Sequence, residues 1–104
     1  MTKPVRAPRH LSPTSRRLFA DVTSSYVLEP HHVAILTKAL EAFDRAEQAR
    51  ALVDAEGLIV LSRLNESKAH PAIPIERDSR AQFFAGMRQL GLDVESPATP
   101  SPRR

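Results

Sequence analysis

Cysteine is missing from this chain of 104 residues, and with it go disulfides, thiolate nucleophiles and cysteine zinc sites. Tryptophan is missing too, and the aromatics amount to Phe19, Tyr26, Phe43, Phe83 and Phe84. Large rings therefore cannot carry the core, and aliphatic side chains and alanine must. Glycine occurs only at 57, 86 and 91, never in the pattern of a phosphate-binding loop. No window approaches the roughly 20 apolar residues of a membrane span, and the basic start "MTKPVRAPRHLSPTS" lacks the apolar stretch of a secretory signal. The expectation is a soluble cytoplasmic protein with no membrane partner.

Acid is absent from both ends. Residues 1–17 hold Lys3, Arg6, Arg9, Arg16 and Arg17, and residues 96–104 hold Arg103 and Arg104. All twelve acidic residues lie between, against eight basic ones, so an acidic body carries basic ends within a net charge of +3. A polyanion would meet the ends and the first helix rather than the long helical faces. Short basic termini that only keep the protein soluble are equally consistent with this pattern.

What is present is helical. Residues 1–11 and 94–104 are rich in proline and basic residues and are expected to be a disordered arm and tail flanking a helical domain over 12–93. Ser12 is a candidate N-cap with Pro13 at the first helical position, and Leu18, Phe19 and Val22 give a short helix its apolar face. Pro30 opens a second, long helix that Gly57 ends in a left-handed cap. Along it, Ile35, Leu36, Ala39, Leu40, Phe43, Ala46, Ala49 and Val53 recur with the helical period. Its many alanines let a neighbouring helix come close. The run Leu58 to Leu61 and the turn residues Asn65 to Ser67 predict a small β-hairpin. A third helix runs from about Pro71 to Leu90, with Gly91 as its cap and Ile73, Phe84, Met87 and Leu90 facing inward. The fold class is mainly α: a short helix, then two long helices in an antiparallel hairpin with the β-hairpin between them.

Catalytic spacing is not found. Adjacent His31 and His32 point about 100° apart on a helix and do not share a metal. His70, just before Pro71, reads as a polar residue capping a helix. Glu76 and Asp78 fall on different sides of their helix, so no acid and base pair shares a face. Glu76 reaches Arg80, and Arg77 or Arg80 crosses to Asp44 or Glu47; Glu41 with Arg45 and Glu47 with Arg50 are the pairs expected on the second helix. No enzyme, metal or cofactor is expected.

Taken in order, "YVLEPHHVAIL" into "ALEAFDRA", then "GLIV" and a turn, then "HPAIPIERDSRAQFF" and "LGLD" resemble the small subunit of tailed-phage terminases over about residues 12–93. The stretch from His70 and Pro71 to Arg80, followed by Leu90-Gly91-Leu92-Asp93, carries most of the likeness. The resemblance implies a non-catalytic DNA-packaging protein, phage or prophage encoded, that forms a ring on double-stranded viral DNA and regulates or loads a large subunit holding the ATPase and nuclease. Many such proteins begin with a helix-turn-helix domain, and here only one short helix precedes the long one. DNA-contacting residues therefore come from this chain's own charge pattern: Lys3, Arg6, Arg9, Arg16 and Arg17. Assembly is expected through Leu36, Leu40, Phe43, Phe83, Phe84 and Met87, because apolar surface exceeds what one small chain can cover. A small transcription regulator or a helical adaptor for proteins is the alternative.

Overall fold

The computed structural model describes residues 5–92 of the chain. Three helices and one hairpin follow in order: α1 (Pro13–Ser25), α2 (Pro30–Glu56), β1 (Ile59–Leu61), β2 (Ser67–Ala69) and α3 (Ala72–Gln89). The mainly helical class, the hairpin's position and the pairing of the long helices are as the sequence predicts.

Local chemistry sets each boundary. The Ser12 hydroxyl accepts from the Ser15 amide (3.1 Å), and Pro13 takes the first helical position, where a missing N–H costs nothing. Pro30 opens α2, and the preceding Glu29 amide donates to His32 Nδ1 (3.2 Å). Gly57 ends α2 with φ +91 and ψ 166. This is not the expected left-handed cap but the extended positive-φ region that only glycine occupies readily, and it turns the chain straight into β1. Gly91, at φ +75, does form the left-handed ending of α3: its amide donates to Arg88 O (2.9 Å) and the Leu92 amide to Met87 O (2.9 Å), the two bonds of a Schellman motif.

α2 and α3 run antiparallel. Phe43 meets Phe83 with ring centroids 5.2 Å apart, Arg50 reaches Glu76, and Ala49 and Val53 pack with Ala72 near the hairpin end. Small side chains bring the helices together. A Cβ placed on Gly86 would lie 2.7 Å from the Ala39 Cβ, so glycine is what permits this approach. Its helix penalty, about 1 kcal/mol against alanine, is offset by packing.

The main core gathers Leu11, Phe19, Leu36 and Leu40, with Leu18, Val22, Phe83, Met87 and Leu90 against it. Segment 5–11 was expected to belong to a disordered arm, yet Leu11 is only 2% exposed and Ala7 packs on the same cluster. An apolar residue between the basic ones anchors this stretch. Residues 1–4 and 93–104, including Lys3, Arg103 and Arg104, lie outside the described residues.

The hairpin pairs antiparallel, Ile59 with Ala69 and Leu61 with Ser67. The Ser62 hydroxyl accepts from the Leu64 and Glu66 amides (both 3.2 Å), and Asn65 takes φ +67 in the turn. His70 ties the hairpin to both long helices. Its Nδ1 accepts from the Ala72 amide (3.0 Å) as the predicted cap of α3, its Nε2 donates to Glu56 at the end of α2 (2.6 Å), and its amide donates to Leu58 O (2.8 Å). Two strands alone are marginal in water, so this bracket matters to the hairpin.

Candidate functional site

The amino-terminal end of α1 concentrates the basic residues, and a half-buried acid on α2 positions it. Asp44 Oδ2 accepts from the Ser12 amide (2.8 Å), and Oδ1 accepts from the Ser12 and Ser15 hydroxyls (2.6 and 2.5 Å). Burial alone would raise the Asp44 pKa, but the Ser12 and Ser15 hydroxyls and the Ser12 amide outweigh it and hold the carboxylate below its ordinary value. Three residues earlier on α2, Glu41 accepts from His10 Nε2 (2.8 Å) and Lys38 Nζ (3.2 Å). Its pKa is also lowered, mainly by His10, against some desolvation and with help from Lys38. Two carboxylates thus pull the start of α1 and the segment before it onto α2.

Around this anchor the predicted DNA-contacting residues take unequal places. Arg6, Arg9 and Arg17 are exposed and form no ion pair among the described residues. Arg16 is engaged: its Nη1 donates to the backbone oxygens of Arg9 (3.2 Å) and Leu11 (2.9 Å). Lys3 lies outside the described residues.

Lys38, Arg50, Arg77 and Arg80 of the helical body are paired to acids, and Arg45, Arg63, Lys68 and Arg88 form no ion pair among the described residues. Arg50 meets Asp54 (3.1 Å) and, across the helix pair, Glu76 (3.6 Å), while Arg80 meets Glu76 (3.0 Å) as predicted. The other expected pairs are not the ones formed. Glu41 turns to His10 and Lys38 instead of Arg45, Arg50 prefers Asp54 and Glu76 to Glu47, and Arg77 stays on its own helix with Asp78. An exposed same-helix pair gains only a few tenths of a kcal/mol, so alternative partners on the same helix, such as Asp54 for Arg50, and from other segments, such as His10 for Glu41, readily replace the ones that spacing offers.

The six predicted assembly residues also divide. Leu36 and Leu40 are fully buried in the chain's own core and have no surface to offer a second copy. Phe83 and Met87 pack against that core, and Phe43 is half-buried on Phe83. Phe84 is the exception, 50% exposed rather than facing inward, with its ring 5.3 Å from Phe83. Beside it, Phe43, Phe83 and Phe84 floor an open groove of about 230 Å³ whose rim carries Glu47, Arg50, Glu76 and Arg80. Among the described residues no three metal-ligating side chains come together, and no helix is long and apolar enough to cross a membrane.

Sequence reasoning missed Asp44 as the clamp of α1 and Arg16 as a bracket. Ser12 before Pro13 signals a capped helix start, but nothing local points to an acid 32 positions onward.

Comparison with known proteins returns one family. Neither a curated protein nor a solved structure matches the chain. The family model described as "Phage terminase, small subunit" matches residues 14–101. That span takes in all three helices and the hairpin, so the chain belongs to the phage terminase small subunit family.

Proposed function

We propose that this chain is the non-catalytic DNA-recognition subunit of a phage packaging terminase. It assembles into a homo-oligomeric ring on double-stranded viral DNA inside the bacterial host and regulates or loads the large ATPase-nuclease subunit, needing no cofactor of its own. Family membership supports the packaging role. The DNA contact rests on one observation: Arg6, Arg9 and Arg17 stand exposed and unpaired together at one end, among the described residues, whereas the unpaired Arg45, Arg63, Lys68 and Arg88 are distributed over α2, the hairpin and α3 and Arg50, Arg77 and Arg80 are paired to acids.

Unpaired arginines are free to displace counterions from phosphates, which makes binding steeply salt dependent. One copy offers few such contacts. Repetition around a ring raises their effective concentration, so an assembly binds where a monomer does not. Assembly itself is supported by the Phe84 groove, where a half-exposed ring lies beside a rim carrying charges of both signs.

The test is to titrate the full chain onto duplex DNA at several salt concentrations, with its mass in solution measured in parallel. A higher oligomer whose affinity falls steeply with salt is expected. A monomer at tens of micromolar, or no binding at low salt, overturns the reading.

A further inference from the structure

Arg16 is the one arginine at this end of the molecule whose guanidinium turns back onto the chain. Its Nη1 donates to the carbonyls of Arg9 and Leu11, at 3.2 and 2.9 Å, on either side of His10. The same short segment is closed on itself by the Leu11 amide donating to Pro8 O (3.3 Å). From the α2 side it is fixed by the buried Leu11 side chain, by His10 on Glu41, and by the Ser12 amide on Asp44. Backbone carbonyls carry no net charge, so Arg16 keeps its positive field while both Nη1 hydrogens are spent inside the protein. Among the described residues, Arg6 and Arg9 carry no such side-chain bonds, and Leu11 and Ala7 pack the backbone between and beside them onto the core.

We propose that Arg16 is a positioning residue. It holds segment 8–11 so that Arg6 and Arg9 meet DNA phosphates from a preformed arm, and it contacts no phosphate itself. This rests on the DNA-binding reading above. A flexible tail would lose its conformational freedom on binding; a bracketed arm has lost it in folding, and that difference appears as affinity. The rigid guanidinium aims both Nη1 hydrogens in fixed directions at the two carbonyls, which a rotating ammonium on a shorter stem does not reproduce.

Two readouts on the full chain separate positioning from contact. The first is the rate of trypsin cleavage after Arg9, which reports whether the segment is held. The second is the salt dependence of binding to duplex DNA, whose slope counts phosphates engaged. Arg9→Ala and Arg17→Ala should each flatten the slope by about one per engaged copy. Arg16→Ala should leave the slope unchanged, lower affinity about tenfold, and speed cleavage after Arg9 about tenfold, because the ordered arm has become a tail. Arg16→Lys, which keeps the charge and carries the comparison if Arg16→Ala does not fold, should also speed cleavage. A flatter slope with unchanged cleavage in these variants would overturn the proposal by making Arg16 a phosphate contact. Absence of DNA binding by the unaltered protein would instead remove the DNA reading, and the positioning role with it.

Discussion

Asp44 shows how much of this molecule hangs on single polar atoms. Each of its oxygens is committed to the start of α1, through one amide and two hydroxyls. Hydrogen bonds to an ionised acceptor are worth more than neutral ones, and removing the acceptor strands three donors in a half-buried place. Asp44→Ala should therefore cost about 2–3 kcal/mol in urea unfolding and free α1 from α2. The pH dependence follows from the depressed pKa values of Asp44 and Glu41. A carboxylate whose folded pKa lies below its unfolded one stabilises fully above the unfolded value, and that stabilisation is lost as pH falls through the folded value. Acid should thus loosen α1 before it disturbs the α2 and α3 pair, whose closest contacts are apolar. Asp44→Asn keeps the shape without the charge, and its stability should fall less steeply below the ordinary carboxylate pKa. A stability curve parallel to that of the unaltered protein down to strong acid would show that the Asp44 charge does not anchor the helix.

At the scale of elements, the closest approach lies between Gly86 on α3 and Ala39 on α2. Gly86→Ala improves helix propensity by about 1 kcal/mol, yet its new methyl would sit 2.7 Å from the Ala39 Cβ. Packing should win, with a net loss of about 1–2 kcal/mol. Ala39→Gly should recover much of that loss when combined with Gly86→Ala, although alone it destabilises; strict additivity of the two would mean that the helices simply slide apart. Element ends were legible in the sequence because their chemistry is local: Ser12 with Pro13, Pro30, His70 before Pro71, and Gly91 each act within a turn of the helix they begin or end. Less legible was what lies across a gap. Phe83 and Phe84 are neighbours whose helical directions both fall near the apolar stripe, and only the position of α2 decides that Phe83 turns in and Phe84 out. The cross-segment partners of Glu41 and Arg50, His10 and Glu76, escaped for the same reason, since helical spacing offers candidates on one helix alone. For the proposed DNA-contacting residues, composition could not separate Arg17, which makes no side-chain hydrogen bond among the described residues, from its immediate neighbour Arg16, which bonds to Leu11 O.

For the whole molecule, the question is which apolar surface remains after the chain has folded on itself. Leu36 and Leu40 are consumed by the internal core, and Phe83 and Met87 largely so. On the helical pair Leu52, Ile75 and Phe84 stay about half exposed, and Phe84 lies over a groove whose rim carries Glu47, Glu76, Arg50 and Arg80. An aromatic ring surrounded by charges of both signs suits the centre of an interface better than open water, because the ring supplies burial and the rim supplies register. Folding and assembly should therefore separate at adjacent positions. Phe84→Asp removes a ring that the isolated chain only half buries, so its thermal unfolding should stay within about 1–2 kcal/mol of the unaltered protein, while light scattering shows loss of the oligomer. Phe83→Asp puts a charge against the core and should cost about 3 kcal/mol or more, losing fold and assembly together. If the proposed ring binds DNA through repeated weak contacts, the Phe84→Asp monomer should lose DNA affinity as well, although the arginines at the start of α1 are untouched. A folded Phe84→Asp protein that still forms the full oligomer would move the interface away from this groove, and one that is monomeric yet binds DNA as tightly as before would show that repetition of the arms is not what holds the nucleic acid.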